Sequence, residues 1–172
     1  MIYVGSFSKV LFPGLRLGYV VCPRSLRDDL VGAKLLDDVG SSTIEQAALA
    51  ELIACGAFDR HLRRTAAELR RKRAALLDGL RRHCLGHLSP NDSRAGMHLV
   101  GWLHGWSDRQ VQALVTHALG RGLGLYPIGP HYLRGPAPPG LLLGYAALSP
   151  KQLRAASSLL GECLDQVAGG RR

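Results

Sequence analysis

Between Phe58 and Leu85 the chain reads FDRHLRRTAAELRRKRAALLDGLRRHCL, and Leu62, Ala66, Leu69, Leu76 and Leu80 recur there at helical spacing. That stripe predicts one long amphipathic helix ending near Gly86, so any fold must set a long rod between the segments on either side of it. The same stretch holds 9 of the chain's 22 Lys and Arg residues, from Arg60 to Arg82, a large share of the basic excess behind the net charge of +9. A basic helix invites a nucleic-acid reading. No aromatic side chains interleave with these arginines as stacking platforms, however, and a solvated charged face is expected instead.

Tyr3 and Val4 lead as β-formers into Gly5, and LRLGYVVC is apolar and β-branched up to Pro23, so two strands with a turn between them are expected. Ser25-Leu26-Arg27-Asp28 reads as a helix start, the helix continuing to about Leu36. Thr43 is the expected cap of the next helix, through IEQAALAELIA to Gly56. Beyond the long helix, SPNDSRAG reads as a polar loop and MHLVGWL as a strand. Ser107 caps a helix whose apolar side is Val111, Leu114, Val115, Ala118 and Leu119. LGLYPI and GLLLGYAAL are strand candidates split by PHYLRGPAPPG, and a last helix runs from about Ser149 to Val167. The order helix, strand, helix, strand, strand, helix describes a small α/β sandwich. The strand pair near the N-terminus is too little sheet to bury itself.

With 47% apolar and 20% charged residues over 172 positions, the chain suits one domain, or a domain plus part of another. Its apolar runs fall far short of the roughly 18 residues of a membrane span, and no basic segment leads into one at the N-terminus. A cytoplasmic protein with no membrane partner is expected. Cys22, Cys55, Cys84 and Cys163 are scattered without a CxxC pair, which suggests reduced, mostly buried thiols. Cys84 stands close to His83 and His87, but a fourth ligand is lacking and no metal is expected.

In YVGSFSKVLFPGLRLGY, Lys9 is the only charge between the N-terminus and Arg16, set in a small apolar segment punctuated by glycine. A lysine amine held where its neutral form is favoured attacks an aldehyde and forms a Schiff base, as in pyridoxal phosphate enzymes. The phosphate of such a cofactor needs hydroxyls, backbone N–H groups and an arginine fork. Ser6 and Ser8 flank Lys9, Arg16 follows on the next strand, Gly5 and Gly14 allow close backbone approach, and Pro13 stiffens the turn. The same residues admit a plainer account, with Lys9 snorkelling from a surface turn and Arg16 paired to a carboxylate.

SFSKVLFPGLRLGYVVCP resembles the Schiff-base lysine segment of fold type I pyridoxal phosphate-dependent aminotransferases of class I/II. It is most similar to the aminotransferase-like domain of MocR/PdxR-type GntR-family transcriptional regulators, where that domain follows a winged helix-turn-helix. QAALAELIACGAFDRHLRRTAAELRRKRAALLDGL, AGMHLVGWL, LGLYPIGPHYL and GLLLGYAALSPKQL are similar to later segments of that branch, so the resemblance covers nearly the whole chain. It implies an α/β fold, the C-terminal part of a fold type I aminotransferase. Residues 1–55 would be the end of the large-domain sheet, 56–86 a long linking helix and 87–172 a small α/β domain.

The resemblance also implies pyridoxal 5'-phosphate as cofactor, with Lys9 forming the internal aldimine and shuttling a proton. Ser6, Ser8 and Arg16 match phosphate-binding positions, and Gly14 and Gly18 match the turn and strand glycines. A homodimer is implied, with a small-molecule amine, amino acid or keto acid as partner and DNA reached only through a winged helix that this chain lacks. Relatives of this type are more than twice as long. The upstream half of the large domain, which supplies the ring stack, the aspartate for the pyridine nitrogen and further phosphate ligands, is missing, so the chain alone is expected to be inactive. GLLLGYAAL offers no arginine for a substrate α-carboxylate, and Arg134 is the nearest candidate. Two alternatives stand beside the enzyme: an effector-sensing domain of a regulator without turnover, or a truncated remnant exposing apolar sheet edge and face.

Overall fold

The computed structural model describes residues 1–94 and 96–169, and these fall into two compact units, Met1–Thr65 and Ala66 onward. In the first unit, β1 (Tyr3–Ser6) and β2 (Gly18–Val21) pair antiparallel, Tyr3 opposite Val21 and Ser6 opposite Gly18. Pro23 lacks the N–H to continue a ladder and leads directly into α1 (Arg24–Asp38). α2 (Thr43–Ala54) follows, with Ser42 at the cap position and Thr43, the expected cap, as its first helical residue. The Ser42 hydroxyl donates to the Glu45 carboxylate.

The core of this unit is small: Leu15, Leu17 and Leu49 are buried, with Phe7 and Leu11 packed on them. The ribbon stays open, Val4 being 72% and Val21 58% exposed, and α1 buries no residue at all. Two strands alone cannot cover their own faces.

α3 (Ala57–His83) begins in the first unit and gives its later turns, with Ala75, Leu76, Gly79 and Leu80 buried, to the second. Most of its arginines turn outward, Arg71 pairing with Glu68 and Arg81 and Arg82 with Asp78, while the half-buried Arg73 donates to the Ser93 carbonyl at 2.9 Å. The second unit has a four-stranded antiparallel sheet built from β3 (Leu88–Pro90), β4 (His98–Leu103), β5 (Tyr126–Pro127) and β6 (Gly140–Gly144) in the order β3-β4-β6-β5. Leu99 and Leu103 of β4 and Leu141 and Leu143 of β6 alternate onto one face. They meet the later turns of α3, α4 (Asp108–Gly120) and α5 (Pro150–Gly169) in a single apolar cluster. Ser107 and Gln110 cap α4 reciprocally, and Ser149 and Gln152 do the same for α5.

Two strand expectations are corrected here. β3 overlaps the segment read as a polar loop, because Leu88 is buried over Gly101, where an added Cβ would lie 2.8 Å from Leu88 Cδ1. Ala95 of that segment lies outside the described residues. Of LGLYPI only Tyr126 and Pro127 pair with β6, because the Leu123 N–H donates to the Ala118 carbonyl and completes the end of α4.

None of the described helices is long and apolar enough to cross a membrane. Among the described residues no cluster of three or more His, Cys, Asp or Glu could hold a metal ion, and His87 instead bonds Asp165 at 2.9 Å. Cys84 and Cys163 are buried, Cys22 is half-buried and Cys55 is exposed. Burial, helped by the Asp165 carboxylate, pushes the Cys84 thiol up to about 12. Titration of the native chain with an aromatic disulfide at pH 8 should therefore modify Cys55 first and leave Cys84 and Cys163 for denaturant. Fast native reaction at Cys84 would contradict this packing. Because the unfolded thiol ionises near 9.0 and the buried one only at about 12, the second unit loses stability as pH rises between those values.

Candidate active site

β1 delivers the chain into a loop with a fixed neck, because the Phe7 N–H donates to the Leu17 carbonyl at 3.0 Å and adds one rung to the β1–β2 ladder. Beyond the neck, the Val10 and Leu11 N–H groups both donate to the Phe7 carbonyl, at 3.2 and 2.9 Å. These bonds wind one turn of helix with Lys9, exposed, inside it. The Ser8 N–H donates to Ser6 Oγ at 3.2 Å, which joins the two serines.

The return arm is stiffened by a 3₁₀ turn, Pro13–Leu15, with the proline at its start. Arg16 then adopts left-handed backbone, φ 51° and ψ 29°, a conformation that costs a residue with a side chain about 1–2 kcal/mol. Leu15 and Leu17 on either side are both buried, and anchoring both holds the strained arginine between them. Gly14 lies in that turn, as expected. Gly14 is not left-handed and meets nothing nearer than the Phe12 ring at 3.6 Å. The close approach occurs at the neck instead, where a Cβ on Gly18 would lie 2.8 Å from the Gly5 carbonyl oxygen.

Ser6 thus ends β1, Ser8 and Lys9 lie on the outgoing arm of the loop and Arg16 on its return arm. Among the described residues neither the Lys9 amine nor the Arg16 guanidinium has a hydrogen-bond or ion-pair partner, so the plainer pairing of Arg16 with a carboxylate is absent. Arg134 is exposed in the proline-rich loop of the second unit. Two hydroxyls and two unpaired cations on one pinned loop are suited to hold a phosphate ester and to offer an amine to a carbonyl group.

One residue here was not singled out from the sequence. His61, on α3, sets Nε2 2.7 Å from the Val10 carbonyl oxygen. A carbonyl only accepts, so Nε2 carries the proton. In sequence His61 is one polar position among the arginines of a long helix, and nothing in that pattern marks it. Nearby, Phe7 packs against Tyr19 at 5.3 Å between ring centroids and meets Phe58 edge-on at 5.9 Å. An apolar cleft of about 440 Å³ opens along Leu11, Phe12 and Leu15 of the loop, with Leu49, Leu52 and His61 in its walls.

The probable rhizopine catabolism regulatory protein MocR of Rhizobium meliloti is 34% identical over 156 residues, 90% of this chain and 31% of the relative. The uncharacterized HTH-type transcriptional regulator YhdI of Bacillus subtilis is 31% identical over 156 residues, again 90% of this chain and 32% of the relative. The chain thus spans about a third of the length of these curated relatives. Among solved structures, LysN, the alpha-aminoadipate aminotransferase of Thermus thermophilus complexed with N-(5'-phosphopyridoxyl)-L-leucine, matches with a TM-score of 0.84. Identity is 31%, over 98% of this chain and 42% of that one. The α/β fold described above is therefore that of part of an aminotransferase. A family model, aminotransferase class I and II, matches residues 1–130, a span that includes the whole Lys9 loop, and the chain belongs to that family.

Proposed function

We propose that the chain is the C-terminal part of an aminotransferase-like protein in which Lys9 binds pyridoxal phosphate covalently while Ser6, Ser8 and Arg16 hold the phosphate. The observation that carries this reading is the Lys9 loop, with its amine exposed, a strained Arg16 held between buried leucines, and no carboxylate partner for either cation among the described residues. The donor set fits the cofactor. Ser6 Oγ already accepts from the Ser8 N–H, so its own proton is left to donate, and the Ser8 hydroxyl and the Arg16 fork add further donors toward a dianion.

Pyridoxal phosphate, when bound, supplies the electron sink for breaking bonds at the α-carbon of an amine or amino acid. The residues of this chain bind and orient it through the phosphate, and the Lys9 amine, once released, is the base that moves the α-carbon proton. The reading brings with it a small-molecule amine, amino acid or keto acid as partner and a homodimer as assembly. The kinship with regulators such as MocR favours a second reading of the same site, in which the domain senses an effector and does not turn over. Conversion of an added amino acid to its keto acid by the full-length parent separates the two.

The site itself is tested by mixing the chain with pyridoxal phosphate, reducing with borohydride and mapping the label by mass spectrometry. Lys34 is held by Asp38, and Lys72 donates to the Ala146 carbonyl at 2.6 Å, whereas Lys151 is exposed and serves as the internal reference. Label on Lys9 clearly above that on Lys151 is expected, short of stoichiometric because this loop supplies only part of the ligands such a cofactor needs. Label on Lys9 no higher than on Lys151 would sink the reading.

A further inference from the structure

Resting on the reading of Lys9 as the cofactor lysine, we propose that His61 is a positioning residue: its Nε2–H holds the Val10 carbonyl and so fixes the turn that presents the Lys9 amine. A single helical turn closed by two bonds to one carbonyl is marginal on its own, because fixing its dihedrals costs more entropy than so few bonds return. Here α3 grips the turn twice. Phe58 meets Phe7 at the start of the turn, with ring centroids 5.9 Å apart, and His61 bonds Val10 at its end at 2.7 Å. Phe7 and Val10 are three residues apart, as are Phe58 and His61. One turn of the loop is thus matched to one turn of a long, internally bonded helix.

The bond acts on the peptide between Val10 and Leu11, one residue beyond Lys9. With the carbonyl held, rotation of that peptide costs the bond, and the backbone carrying the amine is biased toward one conformation. His61 Nε2 also lies 3.4 Å from Thr65 Oγ1, one helical turn further along. His61 acts through Val10, so its effect is on where the amine points.

His61→Leu removes the donor and keeps an apolar side chain in the cleft wall, whereas His61→Gln keeps an N–H donor on a side chain of comparable reach. The measurement is the ratio of borohydride-fixed pyridoxal phosphate on Lys9 to that on Lys151, at sub-saturating cofactor, with circular dichroism to confirm that each variant is folded. A general loss of structure would not restore itself in the glutamine variant. The leucine variant is expected to lower the ratio roughly fivefold, the worth of one net hydrogen bond, and the glutamine variant to stay within about twofold of wild type. A wild-type ratio retained by His61→Leu, or an equal fall in both variants, overturns the proposal. A wild-type chain without preference for Lys9 overturns the cofactor reading beneath it and the positioning role together, so the two failures are told apart by the wild-type ratio.

Discussion

Gly161→Val is expected to destabilise the second unit by about 3 kcal/mol, a large part of the reserve of a marginally stable domain. A Cβ at Gly161 would lie 2.2 Å from the His83 carbonyl oxygen and 2.9 Å from the His83 carbonyl carbon. Both are backbone atoms at the end of α3, so no rotamer change makes room. The same pair of helices meets again at Gly79, where a Cβ would fall 2.6 Å from the Ser157 side chain. α5 therefore nests on α3 through one glycine from each, and Leu160, Cys163 and Leu164 reach the cluster around Leu80 and Cys84 only because of it. Valine must push α5 outward and break those contacts. Both tryptophans, Trp102 and Trp106, belong to this unit, so urea unfolding followed by tryptophan fluorescence reports on it alone. Gly120→Ala, at a helical glycine with nothing within 4 Å of the added atom, is the control and should be neutral or slightly stabilising. An unchanged midpoint for Gly161→Val would refute the close α3–α5 packing.

α3 and α4 were legible in the sequence because each carries an apolar stripe with polar residues around it. α1 and α2 were legible from their start signals and from the Ala and Leu content of α2, and both kinds of signal outlast errors of a residue or two at the ends. α1 extends to Asp38 where the pattern suggested Leu36, and α2 begins one residue after Ser42, not after Thr43. The short strands were less legible. β3 and β5 are held by tertiary packing, Leu88 over Gly101 and Ile128 against Gly140, and two or three residues are too few to show a period of two. In the site, residue types could be read but backbone state could not. Nothing in the segment marks Arg16 for left-handed backbone, which it takes between the buried Leu15 and Leu17. His61 was invisible for a related reason. Its partner is a backbone carbonyl 51 positions away, and a main-chain acceptor leaves no mark in a sequence.

Arg16→Gly should separate stability from binding. Glycine takes a φ of 51° without strain. Relief of about 1–2 kcal/mol is offset by the roughly 0.5–1 kcal/mol that glycine's freer unfolded chain costs, so stability should hold or rise slightly. Binding should fall, because the phosphate loses a charged two-pronged donor. Trapping of pyridoxal phosphate on Lys9 at sub-saturating cofactor is expected to drop about 10- to 100-fold. Pyridoxal, which has the aldehyde but no phosphate, isolates the cause and should label Lys9 equally in wild type and variant. If pyridoxal labelling fell as far as that of its phosphate, Arg16 would be shaping the loop and not binding an anion. If neither fell, the arginine would have no part in the site, and its strained backbone would be a by-product of burying the leucines beside it. A selective loss for the phosphate ester alone would instead mean that the strain serves binding. The fold would then be accepting an unfavourable arginine conformation, where glycine would fit without strain, for the sake of a guanidinium at that point of the loop.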